Sequence, residues 1–468
     1  MTEAKKTDYR VGDDRFWAKA WVTPLALAVV GGLLAVFTAG PERLGYAYLF
    51  GLFTTVTFML GGLFLVLIQF LTASHWGVST RRIVEVMMSG APVVALLALP
   101  FVAGVALGKL DIYQEWQSAA AHGDHGAAHG DSDSGSDSEG ESDSASDEEH
   151  GALQLGASVA RAQDHGDQGD QGDHEEAHEE GHAHTPQETA LHHEIVAQKT
   201  GYLNTAGWAG RAIAYLILWS LIALAYFGWS RRQDDDKDPK HTLRMQSLAP
   251  AALMLFAGSL TFASFDWLMS LEAAWFSTIF GVIIFAGAVV AILAATILIG
   301  LSFYKRGLTG DVITPEHFHD LSKLMFGFVC FWTYVSFSQW MLIWYAGIPE
   351  EATWYHRRWE GGWPFIAYLL IFGHFVAPFV LLISRVQKRA LGWLQVMCFW
   401  LILMHVADMY WFVMPQAGAF SIQLADVGAL LFVGGIFFAY VFWKLGTVPL
   451  VPIGDPRLPR SIHHHQTH

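Results

Sequence analysis

Apolar stretches alternate with short polar ones along most of the chain, and many are long enough to cross a bilayer as a helix, which takes about 20 residues. Such runs lie at 20–39, 46–71, 86–108, 208–228, 248–271, 276–301, 321–346, 364–384, 393–413 and 423–445. They predict an all-α polytopic membrane protein with ten transmembrane helices, since a helix satisfies its own backbone N–H and C=O groups inside hydrocarbon. The same pattern divides the chain into a terminal segment 1–19, helices one to three over 20–108, a polar loop over 109–207, helices four to ten over 208–445 and a tail over 446–468.

Composition agrees with this division. Hydrophobic residues make up 53% and aromatic residues 14%, more than one soluble core of 468 residues would need. Cytoplasmic loops retain Lys and Arg, and with the N-terminus inside, 21 of the 28 basic residues fall on the inner side. Both termini are therefore expected in the cytoplasm. No convincing small-residue cleavage site occurs before Pro41, so the first helix is expected to be retained.

The formal charge of −15 belongs to one segment. Residues 111–200 hold 22 Asp and Glu against Arg161 and Lys199, a net of −20, which leaves about +5 for the rest. With "DSDSGSDSEGESDSASDEE" at 131–149 and few apolar residues, this stretch predicts a disordered loop outside the membrane. It also carries 11 of the 22 His among its carboxylates, a composition that collects divalent metal weakly, but no ligand spacing defines a closed site.

Cys330 and Cys398 are the only cysteines and both fall within predicted helices. That excludes a cysteine-held iron–sulfur cluster or a C-x-x-C-H haem attachment in this chain. Phosphate-binding glycine motifs are absent too, which argues against ATP-driven transport, and no nucleic-acid partner is expected.

Ionisable residues inside the spans carry the remaining information, because each costs several kcal/mol in hydrocarbon unless it faces protein or water. Asp266 and Glu272 interrupt "FASFDWLMSLEAAWFSTIFG" near the outer end of the fifth helix. They are about 9 Å apart along the axis and on different faces. Glu272 also fits an interfacial residue beside Trp275. In the ninth helix "LMHVADMYW" sets His405 and Asp408 three residues apart on one face. His374 of the eighth helix is expected at the same depth, while Gln339, Glu350 and Glu351 extend the set outward. On the inner side Gln69, Glu85 and Lys323 lie near helix ends, where capping or snorkelling accounts for them.

This outward set suits a proton relay or a quinone pocket, in which a His or carboxylate takes a hydroxyl proton and aromatic residues hold the ring. Axial ligation of a haem by His374 and His405, or plain hydrogen bonding between helices, would use the same residues. The sequence places no Lys or Arg at the depth of Asp266. An ionised Asp there would be costly, so Asp266, Glu272, His405 and Asp408 are expected to line a proton path, with His374 and Gln339 lining a quinone pocket and no metal bound.

The run from 262 to 281, followed by "HDLSKLMFGFVCFWTYVSFSQWMLIWYAGIPEEATWY" at 319–355, resembles the ActF subunits of alternative complex III, a bacterial quinol:electron acceptor oxidoreductase. Those subunits are related to the NrfD-like membrane subunits of polysulfide reductase. The resemblance covers nearly all the chain outside 111–200. It implies two four-helix bundles, helices two to five and six to nine, with the first and last helices peripheral. It also implies residence in the bacterial inner membrane, an ActC-like sister subunit, an iron–sulfur subunit and multihaem cytochrome c subunits as partners, and no redox cofactor of its own beyond quinone or menaquinone. In that family the quinol site is better supported in the sister subunit. Asp266, Glu272, Glu350 and Glu351 fall within the matching stretches; His374, His405 and Asp408 rest on depth alone. The acidic loop departs from the family pattern. A divalent-metal transporter with a His-rich loop is the alternative from another class, although paired His and Asp at i, i+4 on two helices are missing, and a scaffold subunit of the same complex is the other.

Overall fold

The structure is a computed structural model that describes residues 9–12, 14–119 and 186–463, apart from the side chains of 186–190 and Glu350. The heart of the acidic loop and Glu350 as a functional side chain thus lie outside the described residues. Among the described residues there is no strand, and ten helices are long and apolar enough to cross a membrane. We label them α1 (Arg15–Thr38), α2 (Pro41–Leu71), α3 (Val78–Ala106), α4 (Thr205–Asp236), α5 (Lys240–Leu271), α6 (Phe280–Lys305), α7 (Pro315–Ala346), α8 (Pro364–Leu382), α9 (Leu391–Ala417) and α10 (Leu424–Thr447). The protein is an all-α polytopic membrane protein.

Helices α2 to α5 pack as one four-helix bundle and α6 to α9 as another, with α2 against α6 and α9 between them. Both α2 and α6 are almost wholly buried, which is why their apolar character runs all round the helix rather than along one stripe. Glycine permits the close approach: a Cβ on Gly61 would lie 2.5 Å from the Ala288 carbonyl oxygen. The first and last helices pair with each other along α2. Gly31, Gly428 and Gly435 bring their backbones together, as small residues do between membrane helices.

Several helices outrun their apolar cores. On the side of the termini α4 continues to Asp236, and α7 begins at Pro315, where Thr314 and His317 form a reciprocal cap. Hydropathy registers the hydrocarbon-crossing part and misses these polar ends. The described ends of the chain meet on one side, where Leu450 N–H donates to Tyr9 O at 2.7 Å.

The expected disordered loop narrows at both ends. Residues 111–119 are helical and bury Tyr113 and Trp116, and Pro186–Gln198 is a helix. Lys199 then donates to the carbonyls of Ala273 and Ala274 at 2.7 and 3.0 Å, tying the loop's end to the turn after α5. The three aromatic residues Tyr113, Trp116 and Tyr202 supply the apolar surface that the central acidic stretch lacks.

Candidate functional site

The outward polar residues separate into three groups. In the first bundle, Asp266 is fully buried and accepts two hydrogen bonds from Arg211 of α4, Nε to Oδ2 and Nη2 to Oδ1, both at 2.9 Å. Tyr215 donates to Oδ2 at 2.8 Å, and the guanidinium lies 3.8 Å over the ring of Tyr202. This corrects the expectation that no cation reaches the depth of Asp266. The basic residue comes from the start of a neighbouring helix that runs antiparallel to α5, a coincidence of depth that only packing reveals.

Glu272 belongs to a second group. Helix α5 tightens into a single 3₁₀ turn at Met269–Leu271, after which the chain turns out of the helix and Glu272 points toward the loop before α8. There its carboxylate sits 3.2 Å from Arg357 Nε and 3.5 Å from Arg358 Nη1. Arg358 is 2% exposed. It donates to the carbonyls of Trp354, Trp411 and Phe412, and its guanidinium lies 3.6 Å over the ring of Trp354. Burial lowers its pKa to about 10 against the opposing pull of Glu272, so it remains a cation at neutral pH. Glu272 is therefore a partner of buried arginine rather than a freely interfacial carboxylate.

The third group surrounds Trp332 of α7. Its Nε1 donates to Asp408 Oδ2 at 3.1 Å, and its ring lies against His374, tilted by 34° with centroids 4.0 Å apart. His405 and Asp408, one turn apart on α9, both face Gly287 of α6: a Cβ there would lie 3.2 Å from His405 Nδ1 and 3.4 Å from Asp408 Oδ2. His405 Nε2 is 2.8 Å from Thr57 Oγ1 of α2, which links the site to the first bundle. The structure thus brings His374, His405 and Asp408 together and leaves Asp266 in a different bundle.

A π-helical stretch, Leu370–Val376, interrupts α8 at His374. Its wider turn displaces the Gly373 carbonyl from the regular ladder, and Trp400 Nε1 supplies a bond to it at 2.7 Å. Gly373 lets α9 come close there: a Cβ would lie 2.6 Å from the Met404 sulfur, which would have to move aside. Single π turns of this kind recur at functional sites, where they re-aim one side chain.

In front of this group opens a cleft of about 750 Å³ between α7, α8, α9 and the short helix Pro349–His356. Its walls are overwhelmingly apolar and aromatic, with Asp408, Gln339 and Arg358 among the few polar groups that reach it. Gln339 Oε1 accepts a hydrogen bond from Ser277 Oγ, and the residue lines the cleft. Tyr334, Phe337 and Ile371 line the mouth and are exposed on the outer surface of the helices, so the cleft opens sideways toward lipid rather than only toward water. Asp408 Oδ1, His405 Nδ1 and both ring nitrogens of His374 are buried with no protein partner in hydrogen-bond range. Buried polar atoms are almost always satisfied, so this concentration beside a large cleft is the chemical signature of the site.

Of the residues expected from sequence, Gln339 and Asp408 line the cleft, His374 stands behind Trp332, and His405 lies one layer deeper. Sequence reasoning missed Arg358, Trp332 and Arg211. The run "WYHRRW" at 354–359 carried a signal for Arg358, since Trp on both sides of adjacent arginines favours cation–π burial. Nothing local distinguishes Trp332 from the other tryptophans of α7.

Glu85 requires a further correction on the side of the termini. It is fully buried and is neither capping nor snorkelling. Arg81 Nε reaches it at 2.7 Å and Arg82 Nη1 at 3.0 Å, and Ser230 donates to it. The network continues from Arg82 to Asp234 at 2.5 Å and from Arg81 to Asp455 of the tail at 2.7 Å. Sequence alone places these charges at helix ends; the returning tail covers them.

Among the described residues no three His, Cys, Asp or Glu side chains come together as metal ligands. Comparison of the chain with protein-family models and with curated proteins finds no match.

Proposed function

We propose that the cleft in the second bundle binds a quinol, and that this chain is an ActF-like membrane subunit of a bacterial quinol:electron acceptor oxidoreductase. One observation carries the proposal: an apolar, aromatic cleft that opens toward lipid and ends on Asp408, with unsatisfied His374 and His405 nitrogens behind it. Its volume is within the range of about 300–1,000 Å³ usual for small-molecule pockets. The resemblance at 262–281 and 319–355 supports the wider assignment, since the second run supplies Trp332, Gln339 and Trp354 of the cleft wall.

In this mechanism the quinol ring lies among the tryptophans. One hydroxyl donates to Asp408, and the Gln339 amide donates to the oxygen at the opposite end. Oxidation removes two electrons and two protons and leaves the quinone. Asp408 takes one proton as general base and passes it to His405, which shares the same face of α9, and the second proton leaves the hydroxyl at the Gln339 end to water on the outer side. The electrons go to a one-electron acceptor in a partner subunit, of the iron–sulfur or haem class, because this chain has no cysteine set to hold such a centre. Arg358, paired with Glu272, lines the cleft and is anchored to the Trp411 and Phe412 carbonyls, one turn beyond Asp408 on α9. With both ends of the chain cytoplasmic in the inner membrane, the site lies toward the outer side, where an ActC-like sister subunit and the redox subunits would meet it.

Photolabelling of the purified complex with an azidoquinone tests the assignment. Adducts should map to 332–340, 370–379 or 408–412 of this chain and disappear with excess quinol. Labelling confined to the sister subunit would leave this subunit as a scaffold.

A further inference from the structure

A second, polar recess lies at the opposite end of the molecule, on the side of the termini. It has a volume of about 270 Å³ and is lined by Leu298, Leu301, Ser302, Lys305 and Arg306 of α6 and Gln395 of α9. We infer that this recess binds the phosphodiester headgroup of an anionic phospholipid from the leaflet on that side, with an acyl chain lying along α9.

Depth is the first argument. Helix α6 has 26 residues, about 39 Å, against a hydrocarbon thickness of about 30 Å. Its last residues, Lys305 and the adjoining Arg306, therefore come out at headgroup level.

Charge is the second. Lys305 Nζ donates to the amide oxygen of Gln395 at 2.6 Å rather than to a carboxylate. Among the described residues Arg306 has a long carboxylate contact, 3.5 Å, with Asp14, whose other oxygen is engaged in capping Phe16 and Trp17. The guanidinium carbon also lies 4.1 Å over the ring of Phe16, a cation–π contact that holds the charge at the recess. Two cations thus converge on one recess, with Asp14 the one carboxylate at its margin among the described residues. A planar guanidinium beside an ammonium is the donor set that phosphate oxygens favour.

Surface continuity is the third. Directly beyond Gln395, the side chains of Val396, Phe399 and Leu403 are exposed at i, i+3 and i+7 of α9. They form an apolar strip about 10 Å long that leads from the recess toward the middle of the membrane. A free phosphate or nucleotide would use the cations and leave the strip unused, whereas a phospholipid uses both.

Lipid binding to the full chain, purified in detergent, can be followed by native mass spectrometry with dioleoyl phosphatidylglycerol, dioleoyl phosphatidylcholine and inorganic phosphate as the three probes. Each basic residue near a headgroup contributes about fivefold in affinity. The K305Q/R306Q double variant should therefore lose phosphatidylglycerol by about 25-fold and leave phosphatidylcholine unchanged. The charge-retaining K305R/R306K variant should keep most of the binding, which separates charge from folding. Equal retention of the two lipids by the unaltered chain, unaltered phosphatidylglycerol binding in the double variant, or displacement of the lipid by millimolar phosphate would each overturn the inference.

Discussion

Arg211 grips Asp266 through two parallel hydrogen bonds of 2.9 Å, joining the first turns of α4 to the last turn of α5. Tyr215 and Trp208 close around the pair, through the Asp266 carboxylate and carbonyl respectively, in the bundle that does not hold the cleft. A buried carboxylate matched in this way fixes the helix register of its bundle.

Asp266→Asn should therefore act on assembly. Removing one member of a buried ion pair strands the other charge, at a cost that the partial exposure of Arg211 brings below the roughly 3–5 kcal/mol of a fully buried pair. We expect a lower thermal midpoint and a lower yield of complex, with turnover per assembled complex retained across pH 6 to 9. Arg211→Lys should fall short of rescue, since an ammonium lacks the two-pronged geometry. A variant that assembles normally but turns over slowly, with a displaced pH profile, would restore Asp266 to a proton path.

At the cleft the expectation is the opposite. Asp408→Asn keeps the bond from Trp332 and the side-chain volume but removes the base, so the complex should assemble while quinol turnover falls by about two orders of magnitude, the scale of general-base catalysis. Trp332→Phe keeps a ring against His374 and removes the N–H that holds Asp408. Its turnover loss should be smaller, about tenfold, with weaker quinone binding. Parental turnover in Asp408→Asn would show that the base lies elsewhere.

Contact between the two bundles depends on Gly61. Gly61→Leu would drive a side chain into the Ala288 carbonyl and Ile292, and overpacking of this kind costs about 1–3 kcal/mol. Because Thr57, one turn away, touches His405, the same change should also weaken quinone binding. Detergent-solubilised protein should show both effects together; destabilisation with unchanged affinity would uncouple the bundle interface from the site.

The tail offers a pH-dependent measurement. Burial alone would push the Asp455 carboxyl up, but Arg81 and Arg457 outweigh it and hold the carboxyl below the ordinary range. A carboxylate lowered on folding contributes stability above its unfolded pKa, about 4, and loses that contribution as pH falls below it. Hydrogen exchange over 448–463, taken relative to the intrinsic rate at each pH, should therefore stay slow from pH 5 to 8 and quicken only below about pH 4. Asp455→Asn should make it fast at neutral pH, and so should Gly454→Ala, because a Cβ at Gly454 would collide with the Gln233 carbonyl. Slow exchange in both variants would mean that the apolar contacts of Leu450 and Val451 hold the tail unaided.

The ten helices and the common side of the two ends were legible in the sequence because burial in hydrocarbon is a one-dimensional property: each crossing needs its own apolar run, and the polar breaks between runs count the turns. His405 and Asp408 were legible as a pair for a related reason, since three residues on a helix are neighbours whatever surrounds them. Which charge meets which was decided only by tertiary structure. Arg211 and Asp266 are 55 positions apart, Arg81 and Asp455 are 374 apart, and Glu272 meets Arg358 across two transmembrane helices and a short one. Periodicity records the face of one helix toward its neighbours but not the neighbour's identity or vertical register. Those follow from glycine contacts such as Gly61 against Ala288 and from the π turn at His374, whose energies come from side chains that are distant in the chain and adjacent in space.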